Sequence, residues 1–163
     1  MAEDIKDISL STKKSFRIDG DNNRIIWLDV SDMNVMSRIN DVYPEIRRLA
    51  IEAQDRLQKA EITDREDANS PLQDVSDVLK DINKTMKEKL NYIFASDIAD
   101  ICEPTGNMYD VVGGEFRFEH IIDVLTTLYA NNIKAEYRKL SERLKKHTAK
   151  YTGKGKGKGR RTR

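Results

Sequence analysis

The chain is poor in the residues that lock or break structure: its 163 residues include one cysteine, three prolines, one tryptophan and two histidines. A lone cysteine excludes an internal disulfide and any cysteine-clustered zinc site, which fits a reducing compartment. No apolar run is long enough to span a bilayer and no signal-like apolar region is present, so the expectation is a chain with no membrane contact. His120 and His147 stand at no fixed spacing from a carboxylate. Neither a metal pair nor a nucleophile with its base and orienting partner can be assembled from them.

The remaining chemical candidates fail on spacing. Asp19, Asp21 and Asn23 copy the first three ligand positions of a calcium-binding EF-hand loop, but Arg24 holds the glycine position and Val30 the bidentate acid position. A plain turn explains them better. Asp97, Asp100 and Glu103 are three apart, yet no histidine is near in sequence and Pro104 bends the last away, so they read as an acidic solvated rim. Gly113 and Gly114 lack the following lysine and hydroxyl residue of a phosphate-binding loop and read as a turn. Cys102, beside Ile101 at a helix end, reads as a small buried hydrophobe or an exposed thiol. With no metal site, cofactor site or acid–base set to point to, a non-enzymatic protein is the expectation.

What the chain has in abundance is charge and helical periodicity. Hydrophobic residues make up 38% and charged residues 35%, which suits a narrow core under a densely charged surface, and long helices meet that ratio more easily than a sandwich. The net charge of +1 conceals a dipole. Residues 1–133 carry 16 Lys and Arg against 26 Asp and Glu, whereas residues 134–163 carry 13 against 2. Such a chain can contact itself or another copy, or offer its basic end to an anionic partner.

In chain order, residues 1–13 form a polar, frayed terminus. Lys14 to Ile18 and Arg24 to Asp29 are short runs rich in aromatic and β-branched residues about the turn-forming Asp19 to Asn23, which predicts a β-hairpin. Ser31 or Asp32 caps a helix carrying Met33, Met36, Ile39, Val42 and Tyr43, and Pro44 is expected to stop and restart it. Ile46 to Ala60 continues the stripe, and Ile62 to Asn69, polar and poor in apolar anchors, reads as a solvated loop. Ser70, Pro71 and Gln73 signal a new helix whose stripe runs from Val75 to Cys102.

From Glu115 to Lys146 the apolar positions, from Phe118 through Leu144, recur at steps of three and four, giving the longest periodic element. The short link from Pro104 to Gly114 predicts that these last two helices pair antiparallel. Beyond Lys146, alternating glycine and lysine predict a disordered basic tail over residues 148–163. The expected fold is therefore mainly α: an N-terminal β-hairpin and a bundle of three to four helices within residues 14–147.

Three stretches, Ile8 to Asn34, Gly113 to Tyr129 and Lys146 to Lys154, resemble a family of small proteins from the tail gene clusters of long-tailed bacteriophages and their prophages. Within that setting the chain is similar to tail assembly chaperones, encoded just before the tape measure protein. The resemblance implies a protein of the host bacterial cytoplasm that coats the helical tape measure chain while tail tube subunits polymerise around it. Its apolar docking residues would include Met33, Met36, Phe116, Phe118, Tyr129, Ile133 and Tyr137, with the methionines as adaptable contacts.

Two other classes stay open: a virion structural protein such as a connector or tail completion subunit, self-assembling through the same helices, and a small nucleic-acid-binding protein. The latter would use Lys154, Lys156, Lys158, Arg160, Arg161 and Arg163 to neutralise phosphates without reading sequence.

Overall fold

A computed structural model describes residues 5–64 and 72–152. The expected hairpin is present: β1 (Lys14–Arg17) pairs antiparallel with β2 (Ile25–Leu28), Phe16 opposite Ile26. Strand alternation puts Ile26 and Leu28 in the core and leaves Ile25 and Trp27 outside. The would-be calcium ligands are spent within the turn, where Asp21 accepts the Asn23 amide and Asp19 pairs with Arg24.

Helix α1 (Val35–Asp64) contains Pro44 without stopping, contrary to the expected restart, and it runs through Ile62, where a loop was expected. Proline removes one amide hydrogen but not the buried stripe of Val35, Ile46, Leu49, Ala50 and Ala53, which holds the helix on both sides of it. Residues 65–69 of the expected loop, with Ser70 and Pro71 of the helix-start signal, lie outside the described residues. Helix α2 (Leu72–Phe94) lies antiparallel to α1, since Arg38 near the start of α1 reaches the carbonyl of Ile93 and Lys89 pairs with Glu45.

The expectation of one helix to Cys102 is corrected. Chain direction changes at Ala95, whose φ of 48° is left-handed. Its amide donates to the carbonyl of Tyr92, and that of Ser96 to Asn91, which closes α2 with the reciprocal bonds of a Schellman motif. A short α3 (Ala99–Cys102) follows, its first amides held by the Asn91 side chain, which accepts from Ile98 and Ala99 at 2.9 Å each.

The chain then runs back along α2. The Met108 amide donates to the Asn83 side chain, and the Phe118 amide to the Met108 carbonyl. Gly113 and Gly114, both at positive φ, turn the small hairpin of β3 (Val111–Val112) and β4 (Glu115–Phe116) immediately before α4 (Arg117–Thr152).

This return places α4 parallel to α2, so the expected antiparallel pairing is overturned. Phe118 starts near the level of Asn83, and Tyr129 meets Phe94 with ring centroids 6.0 Å apart. Both helices oppose α1, where Tyr43 lies against Phe118 at 5.8 Å. The core lies between these three helices and the inner face of the first hairpin.

Helix α4 continues to Thr152, five residues into the segment expected to be tail. Lys154, Lys156, Lys158, Arg160, Arg161 and Arg163 lie outside the described residues. Among the described residues no helix is long and apolar enough to cross a membrane.

Candidate interaction surface

The expected docking residues separate into three groups. Phe118 is 0% and Tyr129 4% exposed, so both belong to the core and are corrected as docking residues. Helical periodicity puts them on the same stripe as Ile133 and Tyr137, but the stripe passes from the inside of the body to its outside. Phe116 is half-buried and stacks on Phe118 at 5.8 Å, covering it rather than offering a free face.

Met36 belongs to a second group. It is 60% exposed and, with Ile39, Tyr43, Pro44 and Ile122, lines an open groove of about 420 Å³ between α1 and α4. Asn40, Asp123 and Thr126 supply its polar edges. The Tyr43 hydroxyl donates to Glu119 at 3.2 Å, and burial together with that carboxylate raises its pKa, so it stays a neutral donor. Pro44 has no amide hydrogen to give the Asn40 carbonyl, which leaves an acceptor at the groove wall without its usual helical donor. The sequence signal for this groove was Met36 itself, one turn before Ile39 on a helix with enough other apolar residues to fill a core.

Met33, Ile133 and Tyr137 form the third group, around a groove of about 320 Å³ where α4 leaves the body. From Lys134 to Thr148 every side chain of α4 is exposed. The helix thus projects as an arm of about 29 Å from Ile133 to Thr152. The arm keeps an apolar row exposed among the described residues, with Tyr137 58%, Leu140 47% and Leu144 55% exposed.

The residues weighed for chemistry are scattered among structural contacts. Asp100 pairs with Lys87, and Glu103 accepts from Arg117 and from the Gly106 amide, so the acidic trio does not converge. A shallow recess of about 250 Å³ contains Cys102, Glu103, Arg117 and His120. Burial pushes the Cys102 thiol up to about 11, which leaves it protonated and a weak nucleophile at neutral pH. His120 contacts Glu115 on the outer side. Tyr129 is pushed up to about 12, mainly by burial and secondarily by the charge of Asp32, and its hydroxyl has no hydrogen-bond partner among the described residues.

Comparison with protein family models, curated proteins and solved structures finds no match.

Proposed function

We propose that this chain is a non-enzymatic interaction protein of a bacteriophage tail gene cluster, a chaperone that receives an amphipathic helix of the tape measure protein in the groove between α1 and α4. The observation that carries the reading is the apolar floor of that groove, with the 60% exposed Met36 beside Ile39, Tyr43 and Ile122. A groove between two helices accepts a third by the same ridge packing that builds bundles, and an exposed methionine adapts to many apolar partners. Asp123 at the edge and the body's excess of acidic residues keep such a complex soluble and favour a partner helix with basic flanks. The reading takes the kind of partner from the resemblance of three stretches to phage tail proteins, and the chemistry of the contact from the groove.

The test is expression in bacteria with and without the tape measure protein encoded beside it. The tape measure chain is expected to become soluble and co-purify only when both are made. Equal solubility in the two cases, with no co-purification, contradicts the proposal. The residue-level control is Met36→Lys, which puts a charge on the groove floor without touching a fully buried side chain.

A further inference from the structure

We propose that the projecting part of α4 is a dimerisation arm that pairs antiparallel with the same arm of a second copy. This goes beyond the chaperone reading and is independent of what fills the groove between α1 and α4. Ile133, Tyr137, Leu140 and Leu144 are spaced by four, three and four residues, the alternation of a two-helix seam. A parallel and an antiparallel pairing of that seam differ in their charges.

In the antiparallel register Tyr137 packs against the partner's Leu140, and Ile133 against the partner's Leu144. The positions flanking the seam then bring Arg143 beside the partner's Glu136, twice by symmetry, and Lys134 beside the partner's Ser141. A two-fold contact must be self-complementary, and this one is: cation meets anion from each side. In the parallel register Glu136 faces Ser141 and Arg143 faces Thr148, so no opposite charges pair and the identical cation-rich ends lie side by side.

Glu136 is free to take the second cation. It accepts from Lys139 of its own helix at 3.2 Å, and its side chain remains 54% exposed. Arg138, Lys145 and Lys146 fall outside the seam, where water screens their mutual repulsion.

The root of the arm is shaped for the other end of its partner. The groove formed by Ser31, Met33, Asn132 and Ile133 opens on the same side as Tyr137 and Leu140. Antiparallel overlap carries the partner's Leu144 into it and lays the cation-rich end of that arm against a body whose residues 1–133 hold 26 acids and 16 bases. Each copy thus supplies both halves of the contact, with one body at either end of the paired seam. The overlap is short, so association in the micromolar range is expected.

Sedimentation equilibrium on the full chain, from micromolar to millimolar concentration, tests the proposal through charge exchange. The unaltered chain is expected to dimerise, Glu136→Arg and Arg143→Glu each to weaken dimerisation about tenfold by replacing attraction with repulsion, and the double exchange to restore it. Leu140→Glu should abolish the dimer. All these side chains are exposed, so circular dichroism and melting should be unchanged at concentrations low enough that every chain is monomeric. A chain monomeric throughout overturns the proposal and leaves the arm to a different protein; a double exchange no better than the single ones overturns the antiparallel register.

Discussion

The side-chain oxygen of Asn83, midway along α2, accepts the backbone amide of Met108 at 2.9 Å. That bond fastens the returning chain at a level about 16 Å back from the end of α2 at Phe94, and so decides where α4 begins and in which direction it runs. Because Met108 is fully buried, its amide has no water to turn to. Asn83→Ala is expected to cost about 1–3 kcal/mol in urea unfolding, and Asn83→Asp, which keeps an acceptor, less.

Ala95 occupies a left-handed position where glycine is the natural residue, at φ 48°. Ala95→Gly relieves the contact of its Cβ with the following carbonyl while keeping both capping bonds. It should raise stability by about 1 kcal/mol, read as a higher melting temperature. A decrease would mean that this backbone turn is not populated as described.

Arg38 donates to Asp32 and also to the Ile93 carbonyl at 2.7 Å, joining the loop before α1 to the end of α2. Burial alone would raise the Asp32 carboxyl, but the Arg38 hydrogen bond, the Asn34 amide and the Arg38 charge together hold it below its ordinary value. A carboxyl whose pKa is lowered on folding adds stability above its unfolded value near 4, and that stability is lost as pH falls through the lower folded value. Unfolding at a series of pH values should therefore show Asp32→Asn less stable by about 1–3 kcal/mol at neutral pH, the difference shrinking below about pH 4.

The division of the long stripe on α4 makes opposite forecasts for neighbouring aromatics. Phe118→Ala empties a fully buried site against Tyr43 and Phe116 and should cost about 3–5 kcal/mol. Tyr137→Ala removes an exposed ring from the arm and should change monomer stability by less than about 0.5 kcal/mol.

These residues also mark how far the sequence was legible. Strand alternation around Asp19 to Asn23 and the periodicity of the three long helices identified the hairpin and the helical class, because each depends on local spacing. The helix end at Ala95 carried no glycine or proline, only two backbone bonds that form once the turn exists. The parallel course of α4 depended on Asn83 reaching Met108, a contact across 25 residues that no periodicity encodes. Periodicity likewise marked Phe118, Tyr129 and Tyr137 as one face, but where that face leaves the body is fixed by the length of α2 and the hairpin, not by α4. Met36 was legible as an apolar position; that it floors a groove follows from the way α1 and α4 oppose one another.

The most direct measurement of the central claim is calorimetric titration of a helical segment of the proposed partner, a tape measure protein, into the full chain and into Met36→Lys. The account predicts saturable binding with a negative heat-capacity change, as apolar surface leaves water, and at least about tenfold weaker binding to the variant. Absence of binding, or equal affinity for both proteins, would contradict it.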